Sequence, residues 1–145
     1  PLEQAINGKF RLKGYKQALK SAGIPYDEKL VFETDDTYKT GTLLQPALMA
    51  VNATAAMVTD DELAAGIMNG MSDADVKVPD NFEIITSNDT KLTEMVRPKM
   101  SSITQPLYDI GAVAMRLLTK LMHNEPVDDK NVLLPYGLMK RESTK

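Results

Sequence analysis

The sequence predicts an α/β fold with a mostly parallel sheet flanked by helices. Short apolar runs alternate with helical patterns of about ten or more residues, and polar residues follow two of those runs. Strands that alternate with helices pair in parallel, and the ligand groups of such folds gather where the strands end. With 145 residues, 43% of them hydrophobic and 26% charged, the chain is long enough for one domain around a single core.

The first third of the chain predicts two helices and a short extended segment. Apolar positions at helical spacing run over residues 6–20, and Gly23 can end that helix. Residues 29–33 are short and β-rich, which indicates an extended segment. A second helical stretch covers residues 38–51, and Pro46 weakens the prediction in its middle.

The middle of the chain repeats the order of strand, polar turn and helix. Residues 54–58 form a compact apolar run that predicts a buried strand, and a helix follows over residues 62–71. Residues 82–86 predict a second buried strand. Residues 92–98 are irregular, and residues 101–104 are extended because a proline follows them closely.

The last third predicts one long helix and two extended segments. The helix covers residues 106–122, with Pro106 at its first position. Residues 131–134 and 136–140 are extended candidates on either side of a proline, and residues 141–145 form a polar tail.

A charged stripe follows the apolar helix over residues 106–122. At about 100° per residue, Asp109, Arg116 and Lys120 return to nearly the same azimuth, and Tyr108 lies about a quarter turn away. We call these four residues the ridge. Arg116 and Lys120 are one turn apart, so both can reach a single phosphate or carboxylate. The alternative is a solvated face whose cations offset the helix dipole, and spacing alone favours that alternative.

Polar residues at two predicted strand ends are candidates for ligand binding. Asp60 and Asp61 follow one strand, and Asn88 and Asp89 follow the next. Helix capping and turn formation also explain these residues, and their residue types alone favour that explanation. As a general acid and base they could serve an enzyme, but no nucleophile, glycine-rich phosphate loop or metal-binding cluster accompanies them in the sequence. We therefore expect neither catalysis nor a cofactor.

Composition argues against several classes of protein, including nucleic-acid-binding, metal-binding and membrane-spanning proteins. The formal net charge of −3 and the pI near 5.2 argue against nucleic-acid binding by this chain alone. The sequence has no cysteine, and His123 stands alone without metal-ligating partners at fixed spacing. No apolar run is long enough for a membrane span. Because the chain begins with Pro1 and shows no leader, we expect a processed or truncated piece.

Several segments resemble the lactose-repressor/galactose-repressor (LacI/GalR) family of transcription regulators. They follow the family's order and spacing over the whole chain: residues 11–15, 54–55 leading to 60–66, 78–79 leading to 88–90, 102–105 and 141–144. The resemblance implies a periplasmic-binding-protein-like (type I) effector core of two α/β lobes in a cytoplasmic homodimer. It also implies that DNA is bound only through an N-terminal domain outside this sequence.

The resemblance also implies how the chain divides. Residues 1–104 would form the C-terminal lobe of the effector core. Residues 105–130 would supply a crossover and a helix of the otherwise absent N-terminal lobe, and residues 131–145 would return to the C-terminal lobe. The helix would then lack the native partner of its apolar face. Family dimer contacts match residues 61–71 and 92–96, whose apolar residues could equally be core.

Residues 105–120 are similar to the branch of this family that governs carbon catabolite control. The partner in that branch is the phosphocarrier protein HPr phosphorylated on a serine. The resemblance implies that Arg116 and Lys120 supply charge near the phosphoserine. It further implies that Asp109 orients a basic group and that Tyr108 contributes contact area.

The family's effector cleft matches five residues of this chain: Arg11, Asp60, Asn88, Asp89 and Gln105. A small phosphorylated sugar is the effector that the resemblance suggests. Ser87-Asn88 stands where the family usually has an aromatic residue and Asp, and Asp60 stands where Asn or Thr is frequent. A sugar-responsive repressor core, a solute-binding lobe and an α/β enzyme are the alternatives.

Overall fold

The computed structural model describes residues 6–145. A single turn of 3₁₀ helix over Glu28–Leu30 follows the first α-helix. In chain order the other elements are α1 (Ile6–Ser21), α2 (Tyr38–Leu43), α3 (Gln45–Ala50), β1 (Ala55–Met57), α4 (Asp61–Asp73), β2 (Glu83–Ser87), α5 (Leu92–Met95), β3 (Ser101–Thr104), α6 (Leu107–Met122) and β4 (Gly137–Met139).

The sheet has the order β1-β2-β3-β4. Strands β1, β2 and β3 pair in parallel, with Ala56 opposite Ile84 and Ile85 opposite Ser101. Strand β4 adds antiparallel to β3, with Leu138 opposite Ile103. This arrangement confirms the predicted α/β fold with a mostly parallel sheet, and it brings the carboxyl ends of β1, β2 and β3 to one edge.

Helix α4 provides most of the core. Asp60 caps its first turn, because the side-chain oxygen accepts a hydrogen bond from the Glu62 amide at 2.8 Å. The apolar residues of α4 are buried and pack with residues of α3, of β2 and of the segments next to β1, β2 and β3. The members of this core are Leu48, Val58, Leu63, Ala64, Ala65, Ile67, Met68, Met71, Phe82, Ile84 and Met100. Of the two interpretations of residues 61–71, the structure therefore places their apolar side chains in the core.

The predicted second helix is divided in two. Helix α2 ends at Leu43, and α3 begins at Gln45 with Pro46 in its first turn, where a missing amide hydrogen costs nothing. Helix α2 lies so close to α4 that Gly41 and Gly66 approach backbone to backbone. A side chain at either position would meet the neighbouring helix.

Three extended predictions are wrong or need correction. Residues 29–33 form no strand; their first residues belong to the 3₁₀ helix, and Phe32 packs against the core. The predicted buried strand over residues 54–58 is the edge strand β1, and Met57 is 47% exposed. Residues 131–134 pair with no strand in the described part of the chain, and only residues 137–139 join the sheet. Strand β1 has a strand neighbour on one side, and residues 29–33 and 131–134 have none within the described chain.

Two shorter segments also differ from expectation. Residues 92–98 include the helical turn α5, whereas an irregular segment was expected. Pro106 precedes α6 as its N-cap and is not its first helical residue. Its carbonyl oxygen still accepts the first helical hydrogen bond, from the Ile110 amide at 2.9 Å.

The polar tail is anchored inside the sheet. Ser143 is fully buried, donates its hydroxyl hydrogen to the Ile84 carbonyl at 2.6 Å and accepts from the Ser101 amide at 2.8 Å. Its backbone amide donates to the Lys99 carbonyl, and its carbonyl accepts from the Ile84 amide, both at 3.0 Å. The tail thus ties β2 to the start of β3.

Candidate functional site

Three of the predicted cleft residues meet where β1, β2 and β3 end. The Asn88 amide group donates to Asp60 at 3.4 Å and its carbonyl oxygen accepts from the Gln105 amide group at 3.1 Å. Asp60 and Asn88 are half-buried, and Gln105 is exposed. We call Arg11, Asp60, Asn88, Asp89 and Gln105 the cleft residues. The predicted clustering at the strand ends is therefore present for three of them in one hydrogen-bonded row.

Arg11 lies beside this row and contacts the backbone of Thr59. Its guanidinium donates to the Thr59 carbonyl at 2.8 Å, and the Ser87 hydroxyl donates to the same carbonyl at 2.9 Å. The Thr59 hydroxyl in turn donates to Asp36 at 3.1 Å. Helix α1 is thus fastened to the residue that precedes Asp60, and Arg11 lies beside the row formed by the other residues.

Asp89 faces elsewhere. Its carboxylate accepts from the Arg141 guanidinium at 2.6 Å and from the Thr93 hydroxyl at 3.1 Å. Arg141 also donates to the Met100 carbonyl at 2.8 Å and lies 3.6 Å from a Glu94 oxygen. A carboxylate paired with a largely buried arginine is neutralised, so Asp89 supports the site more than it offers a free charge to a ligand.

The backbone at the end of β2 is unusual. Asn88 has a φ of 114° and Asp89 a φ of 53°. Asn and Asp tolerate positive φ better than other residues with a side chain, yet the Asn88 value lies outside the ordinary left-handed region. The Asn88 amide donates to the Ile103 carbonyl at 3.2 Å, and the Asp89 amide donates to the Ser102 hydroxyl at 3.1 Å. Such geometry often marks a functional position.

Asp61, one of the predicted candidates at the strand ends, is a buried supporting residue. The side chain is 2% exposed. It accepts from the Thr86 hydroxyl and from the Thr90 amide, each at 2.7 Å. These two hydrogen bonds fix the start of α4 against the loop after β2, so Asp61 holds Asp60 and Asn88 at their separation.

The arrangement is suited to binding a polar molecule. Amide and carboxylate groups form the row and a guanidinium lies beside it, so together they can hydrogen-bond a polar molecule. Over residues 6–145, no group of three or more His, Cys, Asp or Glu side chains is placed to hold a metal ion.

The ridge lies on the exposed side of α6. Tyr108 is 87% exposed, and Asp109, Arg116 and Lys120 are exposed as well. The ion pairs found among the described residues join His123 to Glu125 and Arg141 to Asp89 and Glu94, so they do not use the ridge cations. Arg116 and Lys120 are therefore available to an anion from outside.

No residue of α6 is buried within the described chain. Part of its apolar face lines a shallow groove with residues 130–136, through Ile110, Val113, Ala114 and Leu117. On a helical projection this groove lies about a quarter turn from the ridge. The expectation that α6 belongs to another lobe is consistent with this exposure and stays a prediction. No helix over residues 6–145 is both long and apolar enough to cross a membrane.

Comparison with known proteins identifies the family to which this fold belongs. Residues 4–144 match the family model described as a periplasmic binding protein-like domain. Catabolite control protein A of Streptococcus mutans is 51% identical over 145 residues, which is 100% of this chain and 44% of that protein. The chain therefore spans less than half the length of this curated relative.

Solved structures agree with the sequence match. A crystal structure of the transcription regulator CcpA of Lactococcus lactis has a TM-score of 0.93 and 43% identity, over 98% of this chain and 52% of that one. The complex of the transcriptional regulator CelR with cellobiose has a TM-score of 0.86 and 30% identity, over 94% of this chain and 42% of that one. The resemblance predicted from the sequence is thereby confirmed.

Proposed function

The chain belongs to the periplasmic binding protein-like domain family. From that premise we propose that it is the effector-binding and dimerisation part of a transcription regulator of carbon catabolite control. In this proposal serine-phosphorylated HPr switches the regulator. The observation that carries this proposal is 51% identity to a catabolite control protein A over the whole chain. The fold and the exposed ridge support it. In this proposal the full-length protein binds DNA through a separate N-terminal domain and acts as a cytoplasmic homodimer without enzymatic activity.

The ridge is the proposed contact with HPr. Arg116 and Lys120 are exposed, one helical turn apart and free of the ion pairs seen in the described chain. A phosphoserine carries about two negative charges and three acceptor oxygens, which an arginine fork and a lysine can share. Tyr108, with its ring exposed, adds flat contact area, and Asp109 orients a basic group of the partner.

We expect the full-length regulator to bind serine-phosphorylated HPr at least tenfold more tightly than unphosphorylated HPr. Hydrogen bonds between charged groups contribute about 1.5–3 kcal/mol each, and a tenfold change needs about 1.4 kcal/mol. Isothermal titration at one salt concentration measures both affinities. Equal affinities for the two forms of HPr would contradict the proposed switch.

The cleft residues are the proposed effector site. The row from Asp60 through Asn88 to Gln105 offers hydrogen-bonding groups at the end of the parallel strands, where α/β folds place ligands. The unusual φ of Asn88 supports a functional role. A relative of 30% identity was solved with cellobiose, which favours a sugar as the class of effector. A small phosphorylated sugar would add a charge for Arg11 to meet.

Replacing Asn88 with alanine is expected to weaken binding of glucose 6-phosphate to the full-length regulator by about threefold to tenfold, the range set by one lost hydrogen bond. Isothermal titration measures the change, and Asn131→Ala on the exposed loop before β4 is the matched control. An affinity that Asn88→Ala leaves at the control value would remove the effector assignment of this row.

A sugar-responsive regulator without HPr is the second candidate function. The cellobiose complex of the relative supports it. Both proposals need the cleft residues. They differ in the ridge, which in the second candidate is a solvated helix face.

A further inference from the structure

Helix α1 carries an unbalanced row of positive charge. Its sixteen residues include five basic side chains and no acidic one. The whole chain has a formal net charge of −3, so the helix carries +5 and the rest of the chain −8. Four of the five lie along one side: Lys9, Lys13, Lys16 and Lys20. We call these four residues the lysine stripe.

Helical geometry aligns the lysine stripe. The spacings of four, three and four residues keep all four side chains within about 60° of one another around the helix. At about 1.5 Å per residue, the stripe is about 16 Å long. All four side chains are exposed, and none takes part in the ion pairs found over residues 6–145. The inward face of α1 is formed by other residues, including the half-buried Leu12, Tyr15 and Leu19.

Aromatic side chains border the stripe. Phe10, next to Lys9, is 68% exposed. Tyr26 is 38% exposed and lies beneath Lys16, whose Nζ atom is 4.3 Å from the ring centroid. Exposed aromatic area is typical of protein interfaces. An exposed phenylalanine on a charged helix gains nothing from water and would gain from burial against a partner.

We propose that the lysine stripe and Phe10 form a docking surface for an acidic amphipathic segment of another protein. The stripe matches a helix with carboxylates at the same spacing of four, three and four, and Phe10 matches an apolar residue beside that row. This surface lies on α1, whereas the ridge lies on α6, so the inference is independent of the proposed HPr contact.

Two observations favour an acidic protein over nucleic acid. Single-stranded nucleic acid is held by successive bases stacked on several open aromatic faces. Beside this stripe the ring of Phe10 is open, but Lys16 covers Tyr26 and Tyr15 contacts the ring of Tyr26 edge-on, with centroids 6.4 Å apart. Duplex DNA needs a basic footprint wider than one row, and the rest of the chain is strongly acidic. A short acidic helix can pair with the four lysines of the stripe and needs no wider basic surface.

The test uses a labelled 20-residue helical peptide with glutamates spaced four, three and four residues apart and a leucine row beside them. Fluorescence anisotropy measures its affinity for the full-length protein at low salt, because an ionic strength of about 0.1 M limits charge interactions to about 10 Å. We expect replacement of all four stripe lysines by glutamine to weaken binding at least tenfold. Phe10→Ala, which keeps the charge, is expected to weaken it several-fold.

The matched control replaces four dispersed exposed lysines, Lys39, Lys77, Lys91 and Lys130, by glutamine. It removes the same total charge and is expected to change the affinity less than threefold. Equal losses in the two quadruple variants would mean that only net charge matters and would overturn the proposal. A loss of affinity for a 20-base-pair duplex that is larger in the stripe variant than its loss for the acidic peptide would also overturn it, in favour of nucleic acid. Circular dichroism of both variants excludes unfolding as the cause.

Discussion

Replacement of Gly66 by alanine is expected to destabilise the protein by about 3 kcal/mol or more. A Cβ atom at this position would overlap the Tyr38 carbonyl oxygen and lie 2.9 Å from the Gly41 Cα atom. Both obstacles are backbone atoms of α2, which cannot turn aside as a flexible side chain can. Helices α2 and α4 would have to separate, and Leu63 and Ile67 on α4 would lose part of their burial.

Urea unfolding followed by circular dichroism measures this effect. The control is Gly14→Ala, at a helical glycine of α1 with no atom within 4 Å of the added Cβ. That change is expected to stabilise the protein by about 0.5–1 kcal/mol, because alanine loses less backbone freedom than glycine on folding. The same substitution thus has opposite signs at the two positions. A Gly66→Ala protein as stable as the wild type would show that the two helices do not approach this closely.

Removal of the Arg116 side chain is the second change with a large expected effect. Alanine at this position is expected to weaken binding of serine-phosphorylated HPr to the full-length regulator at least tenfold, which corresponds to about 1.4 kcal/mol or more and is typical of a charged hot spot. The fold should not change, because Arg116 is exposed and makes none of the ion pairs of the described chain. Lys39→Ala removes one positive charge from an exposed position on α2 and serves as the control.

Local patterns were sufficient for most helices and for the inner strands. The helices α1, α4 and α6 repeat apolar residues at helical spacing, and caps such as Asp60 mark where they begin. Strand β2 has Ile84 and Ile85 at its centre, and β-branched apolar residues favour a strand with neighbours on both sides. These elements depend on residues close in the sequence, which is why periodicity alone predicts them.

The sheet edges could not be predicted in the same way. Residues 29–33 have β-rich composition, yet a strand needs a paired neighbour and the described chain offers none there. Strand β4 exists because residues 137–139 pair with β3 across more than thirty residues of sequence. Such pairing is a property of the tertiary structure, so composition could not distinguish residues 131–134 from residues 137–139.

The position of the candidate site was predictable, but the residues that hold it in place were not. Polar residues after β1 and β2 indicated the shared edge, and Asp60 and Asn88 do meet there. Nothing near Asp89 in the sequence indicated Arg141, which lies 52 residues away. The buried hydroxyls of Thr86 and Ser143 were equally hidden, because threonine and serine in a strand give no sign of which carbonyl or carboxylate they will meet.

Phosphate binding by the ridge is the central element of the proposed function. The direct test is to titrate the wild-type regulator and the Arg116→Ala variant with phosphorylated and unphosphorylated HPr, which gives four affinities and one coupling energy. We expect the preference for the phosphorylated form to fall at least tenfold in the variant while the affinity for unphosphorylated HPr changes little. An unchanged preference would contradict the account, since it would place the phosphate away from Arg116.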